Sequence, residues 1–182
     1  MILPLVSVLH TVLLVLFCAA APVLSLLAWR GSPAALVYPA AAAVAAALLL
    51  AAVPTGDPGF GVVLLLTMLM LVAAVVGGGP AATLALRLAV RGSIEGEHGG
   101  ILQNDREVLR GGMAIGLLER LAIAAVILAG FPEGLAIVVA IKGVGRFTEL
   151  DDAETRERFI IGTFASFLWA ACCAGVVLLA RS

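Results

Sequence analysis

Charged side chains are scarce in this sequence: they make up 13% of its 182 residues. Ordinary soluble domains carry about 25%. Hydrophobic residues reach 63%, and the mean hydropathy is +1.17. A chain with so few charges cannot cover its own surface with groups that water solvates, which excludes a soluble globular domain. The composition predicts an integral membrane protein instead.

Other residue types are missing in ways that exclude further classes. Aromatic residues make up only 5%, and the basic residues form no long run, so nucleic-acid binding is not expected. Cys18, Cys172 and Cys173 fall in apolar stretches without metal-ligand spacing, which is typical of small hydrophobic side chains. His98 has no second histidine nearby, and a metal site needs three or four converging ligands. We therefore expect no metal and no cofactor.

The apolar stretches are long enough to define a membrane topology. About 20 apolar residues cross a bilayer as a helix, and this measure predicts an all-α bundle of six transmembrane helices in one domain, residues 1–182. The first stretch has no Lys or Arg in its opening residues, which indicates an uncleaved helix rather than a signal peptide. The predicted spans are residues 3–27, 34–53, 60–76, 113–129, 135–147 and 159–180, with a polar loop at about 91–111.

The basic residues predict the orientation of these spans. Six spans place all but two basic residues on one side of the membrane: Arg30, Arg87, Arg91, Arg106, Arg110, Lys142, Arg146, Arg156 and Arg158. The other side receives Arg181, while Arg120 lies inside a span. Because short cytoplasmic loops are enriched in Lys and Arg, we expect both termini to face outward from a multi-pass protein of the bacterial inner membrane.

Residues 81–90 follow the run Gly77-Gly78-Gly79-Pro80 and allow two interpretations. Thr83, Arg87 and Arg91 recur at intervals of four and share one helix face. This segment can extend the third span as a kinked helix, or it can lie along the inner membrane interface as an amphipathic helix.

Four charged residues lie inside the apolar sequence of the fourth and fifth spans. Glu119 and Arg120 follow Arg110 by about 14 Å of helix, near the middle of the bilayer. Adjacent helix residues point about 100° apart, so these two need different partners. Lys142 and Arg146 share a face, and either can pair with Glu119. We also expect Gly143 and Gly145 to allow close backbone approach there.

Buried ionisable groups usually pair, line a cavity or bind a ligand, and both a structural and a binding role fit this cluster. An ion-pair network would hold the helices in register. A ligand site is favoured because cations outnumber the carboxylates at the same depth, which suits anionic head groups or phosphates. The candidate binding residues are Glu119, Arg120, Lys142, Arg146, Glu149, Arg156 and Arg158.

The last third of the chain carries a recognisable pattern. Its most specific element is Gly-x-x-Ile-Gly-x-x-Glu-Arg, from Gly112 to Arg120, followed by Lys142, Arg146-Phe147-Thr148-Glu149 and Glu157-Arg158-Phe159. Together these segments resemble the C-terminal membrane region of a group of uncharacterised bacterial inner-membrane proteins that share a domain of unknown function. The resemblance supports the importance of these positions and implies no reaction.

Three functions fit these features. The favoured one is a non-catalytic membrane protein that binds an anionic lipid, such as a phospholipid or polyprenyl phosphate, or a membrane protein partner, which can be a second copy. An enzyme acting on a lipid phosphate would use Glu119 or Glu149 as base, but the sequence has no metal motif and no nucleophile with a base at recognisable spacing. A small-solute or ion transporter would use Glu119, but the sequence shows no internal repeat.

Overall fold

The computed structural model describes residues 2–30, 33–89, 112–145 and 153–182, and over these residues the fold is all-α. This confirms the all-α part of the prediction. The predicted loop at 91–111 lies outside the described residues. The six helices are α1 (Ile2–Arg30), α2 (Pro33–Ala51), α3 (Phe60–Ala89), α4 (Gly112–Leu128), α5 (Gly134–Gly145) and α6 (Ala153–Ala180).

Among the described residues, three helices are long and apolar enough to cross a membrane: Leu5–Arg30, Phe60–Ala89 and Ala153–Ala180. The chain is therefore a protein with membrane-type helices. α5 is apolar but has 12 residues, which gives a length of about 18 Å. The described part of α5 is therefore shorter than the hydrocarbon core of a bilayer, which is about 30 Å thick.

Contacts between the helices define two ends of the bundle. His10 Nε2 lies 2.9 Å from the Leu50 carbonyl, which brings the start of α1 to the end of α2. At the opposite end, Leu86 of α3 lies beside Gly162 of α6. We call this second end, where α1, α3 and α5 finish and α2, α4 and α6 begin, the charged end.

The core depends on small residues in α6, which packs most extensively against α3. Ser166, Ala170 and Ala174 are buried, and they follow one another at intervals of four, so they occupy one face of the helix. Small side chains on that face allow two helix backbones to approach closely. Ser166, Ala170 and Ala174 therefore belong to the packing face of α6, and Gly162 lies on the same face one turn earlier.

The third span was predicted to end at residue 76, but the helix continues to Ala89. Pro80 has no N–H, so it cannot donate to the carbonyl of Val76 one turn earlier. The indole Nε1 of Trp29 in α1 donates to that carbonyl at 2.8 Å instead. An external donor therefore satisfies the carbonyl that proline leaves free. Of the two interpretations of residues 81–90, extension of α3 is correct as far as Ala89.

The turn after α4 follows from one glycine. Gly130 has φ +70°, a left-handed conformation that favours glycine. Its N–H donates to Ile127 at 3.1 Å, and the Phe131 N–H donates to Val126 at 2.9 Å. These two bonds form a Schellman motif, which ends α4 and directs the chain into α5.

Candidate functional site

The pairing predicted for Glu119 is confirmed. Its Oε2 accepts a hydrogen bond and ion pair from Lys142 Nζ, which joins α4 to α5. The two side chains are only 15% and 17% exposed, respectively. The Lys142 ammonium also lies 6.0 Å from the ring centroid of Phe159, so α6 reaches the same place. The pair therefore lies where three helices converge.

The glycines beside this pair do not have the predicted role. A Cβ built on Gly143 or Gly145 would meet no atom of the described residues within 4 Å. α5 packs mainly on α4, and its face at these glycines remains open. Close backbone approach at Gly143 and Gly145 is therefore wrong for the part of the chain that the structure describes.

Arg120 points away from its neighbour Glu119 and into the bundle. It is 6% exposed, and its Nε donates to the Val75 carbonyl of α3 at 2.6 Å. Adjacent residues on a helix diverge by about 100°, so Glu119 faces α5 while Arg120 faces α3 and α6. Among the candidate residues that the structure describes, Arg120 therefore lies apart from the Glu119–Lys142 pair.

Three consecutive glycines in α3 receive three large side chains. A Cβ on Gly77 would overlap the Trp169 ring, and one on Gly78 would overlap Arg120 Cδ. A Cβ on Gly79 would lie 2.9 Å from Trp29 Cζ2. Each large side chain also donates to a carbonyl of the same helix segment: Trp169 to Ala73 at 2.8 Å, Arg120 to Val75 and Trp29 to Val76.

The sequence interpretation missed this arrangement around Gly77–Gly79. The three glycines and proline in the middle of an apolar helix were a usable signal. Such runs expose helix backbone, and proline leaves a carbonyl free for an external donor. The sequence alone does not show which side chains pack against these three glycines.

Ser166 lies beside Arg120. Its hydroxyl lies 3.1 Å from the position of a Cβ on Gly78, and Arg120 Nε lies 3.2 Å from the same position. Ser166 is 6% exposed, yet no residue in the described ranges forms a hydrogen bond with it. Other hydroxyls in these helices, such as Ser25 and Thr67, donate to the carbonyl four residues earlier.

The remaining candidates lie at the charged end or outside the described residues. Arg158 Nη2 donates to Glu154 Oε1 at 2.5 Å, an exposed pair one turn apart on α6. Arg158 Nε is buried and has no hydrogen-bond partner in the described part of the chain. Arg156 lies on an exposed turn of the same helix. Arg146 and Glu149 are outside the described residues.

Other polar side chains have structural partners. His10 bonds to the Leu50 carbonyl with one ring nitrogen, and Thr55 Oγ1 lies 3.0 Å from the other. His10 therefore joins α1 to the end of α2 and the turn that follows it. Within residues 2–30, 33–89, 112–145 and 153–182, no group of three or more His, Cys, Asp or Glu side chains could hold a metal ion.

These features define an all-α protein with membrane-type helices, a part-buried ion pair and a separate buried arginine. Comparisons with known protein families, with curated proteins and with solved structures found no match. The functional argument therefore rests on the residues of this chain.

Proposed function

We propose that this chain is a non-catalytic, six-span protein of the bacterial inner membrane that binds anionic lipid at its charged end. The membrane-type helices support the location, and the alternating ends of the bundle support the six crossings. Both termini then face outward, and the charged end faces the cytoplasm. The positive-inside rule supports this orientation, because it favours basic residues on the cytoplasmic side.

The unequal distribution of charge between the two ends supports lipid binding. Among the described residues, six cations lie toward the charged end, against three carboxylates. The cations are Arg30, Arg87, Arg120, Lys142, Arg156 and Arg158, and the carboxylates are Glu119, Glu154 and Glu157. The other end has Arg181 with Asp57 and Glu133. The sequence segments that join these helices add four arginines and seven carboxylates, so the argument rests on the basic side chains that reach the head-group layer and not on a net charge. Near a cytoplasmic leaflet each such residue attracts anionic head groups by about 1 kcal/mol.

Within this proposal the Glu119–Lys142 pair is structural, because each group neutralises the other. Arg156 and Arg158 are better placed to contact lipid, since they lie on the first turns of α6. This helix has 28 residues and is about 42 Å long, which exceeds the hydrocarbon core of about 30 Å. Its first turns can therefore reach the head-group layer.

Lipid selectivity tests the proposal directly. Purified protein in neutral detergent is given phosphatidylglycerol or zwitterionic phosphatidylcholine, and native mass spectrometry and thermal unfolding are recorded. We expect phosphatidylglycerol to be retained and to raise Tm, with a smaller shift at high salt because exposed charges are screened.

The double substitution Arg156→Gln/Arg158→Gln should reduce this preference for phosphatidylglycerol. Arg181→Gln, at the other end of the bundle, is the matched control and should leave it unchanged. Equal Tm shifts with the two lipids in the parent protein would contradict the proposal.

A further inference from the structure

We propose that Arg120 and Ser166 form a second anion site, inside the bundle, that binds one phosphate-type oxyanion. This site goes beyond the lipid contacts at the charged end and does not depend on them. It lies between α3, α4 and α6, close to the midpoint of α6, whereas Arg156 and Arg158 lie at the start of that helix.

The charge of Arg120 supplies the first argument. A buried cation is costly unless a carboxylate or another anion neutralises it. Its sequence neighbour Glu119 is engaged by Lys142 on another face of α4. No described residue forms an ion pair with Arg120 under a 4.0 Å limit. Arg120 therefore has no carboxylate within 4.0 Å in the described part of the chain, and the Glu119 charge acts on it only from a distance.

The unused donors of Arg120 supply the second argument. A guanidinium has five N–H donors, and the bond to Val75 uses the one on Nε. None of the described residues accepts a hydrogen bond from the terminal nitrogens Nη1 and Nη2. These nitrogens form a planar fork that matches two oxygens of a phosphate or carboxylate.

Ser166 supplies an independent argument, because it is a second buried polar side chain without a partner in the described ranges. Its hydroxyl and Arg120 Nε lie 3.1 and 3.2 Å from one position above Gly78. The hydroxyl therefore lies close to the Nε side of the guanidinium. Two guanidinium donors and one hydroxyl suit the several oxygens of a phosphate group better than the two of a carboxylate.

Glycines lie on both sides of Arg120 and leave room for its side chain. Gly78 lies against the stem of the side chain, as described above. Gly116, one turn before Arg120 on α4, lies beside its tip: a Cβ there would be 3.3 Å from Nη1 and 3.9 Å from Nη2. Gly116 is only half-buried, so the guanidinium tip is closest to the surface on this side.

The protein contains its own reporter for this site. Its two tryptophans, Trp29 and Trp169, pack on Gly79 and Gly77, on either side of the glycine that contacts Arg120. An anion bound at Arg120 would change the electrostatic field at both indoles. Intrinsic fluorescence of the full chain should therefore respond to binding without any added label.

The experiment titrates full-length protein in neutral detergent with inorganic phosphate, and in a second arm with nanodiscs containing phosphatidic acid. We expect a saturable change in fluorescence in at least one arm. A response to inorganic phosphate identifies a small-anion site. A response to phosphatidic acid alone identifies a lipid head-group site. If neither arm gives a saturable response, the proposal is overturned and the site holds water only.

Substitutions locate the response at Arg120. Arg120→Gln should weaken binding by about tenfold or more, because a charge-assisted bond is lost, and Ser166→Ala by about fivefold. Arg181→Gln is the matched control and should bind like the parent. If Arg120→Gln does not fold, the Gly116→Ala variant tests the site instead. Its added methyl group would crowd Arg120 Nη1 while the charge of Arg120 remains, so phosphate binding should weaken. Unchanged binding in Ser166→Ala and Gly116→Ala would overturn the assignment.

The two proposals fail separately. The lipid preference of the Arg156→Gln/Arg158→Gln variant tests binding at the charged end. The tryptophan fluorescence tests binding at Arg120. A parent protein with lipid preference and no tryptophan response retains only the first proposal. The reverse result retains only the second.

Discussion

Glu119 and Arg120 are adjacent in the sequence and contact different helices. The carboxylate pairs with Lys142 of α5, while the guanidinium bonds to the backbone of α3. The geometry of the helix requires this separation, because consecutive side chains diverge by about 100°. Each residue therefore has its own energetic role, and the two roles can be tested separately.

At the Glu119–Lys142 pair, Glu119→Gln should reduce the free energy of unfolding by about 3 kcal/mol, because it leaves the part-buried Lys142 without its counter-ion. The double substitution Glu119→Gln/Lys142→Gln should recover much of that loss. Reversible unfolding in mixed detergent measures both effects.

The exposed Glu154–Arg158 pair is the matched control for this measurement. Glu154→Gln should cost less than about 0.5 kcal/mol, since exposed pairs one turn apart contribute little. If Glu119→Gln is no more costly than Glu154→Gln, the Glu119–Lys142 pair does not hold α5 against α4.

At the scale of an element, α3 shows how one helix organises its neighbours. Gly77, Gly78 and Gly79 remove side chains from three faces of the helix, and α6, α4 and α1 each insert one large side chain there. Glycine inside a helix normally destabilises it by about 1 kcal/mol. Here the packing of Trp169, Arg120 and Trp29 and their hydrogen bonds to α3 offset that cost.

The bond between Trp29 and the Val76 carbonyl should matter only because Pro80 is present. Trp29→Phe keeps an aromatic ring but removes the donor, and it should cost about 1–3 kcal/mol by leaving the carbonyl unsatisfied. In a Pro80→Ala background, a backbone N–H is restored at position 80. Trp29→Phe should then cost less, and unfolding of the four proteins in this cycle measures the difference. Equal costs in both backgrounds would show that the indole contributes by packing alone.

At the scale of the whole molecule, the charge distribution and the alternating helices give the proposed topology. The charged end holds most of the described cations, and α1, α3 and α6 are each long enough to connect it with the other end. α2, α4 and α5 are shorter, and they pack against these three or, for α5, against α4. The positive-inside rule then assigns the charged end to the cytoplasm.

Single-cysteine labelling tests this orientation. In a background without Cys18, Cys172 and Cys173, Thr155→Cys at the charged end should react only with a reagent that reaches the cytoplasm. Ser182→Cys, at the other end, should react with a membrane-impermeant reagent added to intact cells. Reaction of Thr155→Cys from outside would reverse the topology.

The sequence by itself determined the class of the protein, most of its helices and one contact between them. Long apolar runs require helices in a bilayer, because no water is present there to satisfy the backbone. The pairing of Glu119 with Lys142 was predictable as one of few options, since a carboxylate at that depth needs a cation.

Only the tertiary structure decided where Arg120 points and which side chains fill the glycine run of α3. Both depend on which helices are neighbours and how each is rotated about its axis. The apolar sequence says little about this, because nearly every face of these helices is hydrophobic. Gly143 and Gly145 were expected to be contact points, but their positions are open. The buried arginine instead packs against Gly78, in the middle of the run Gly77–Gly79. The packing of α1, α4 and α6 around α3 brought these residues together.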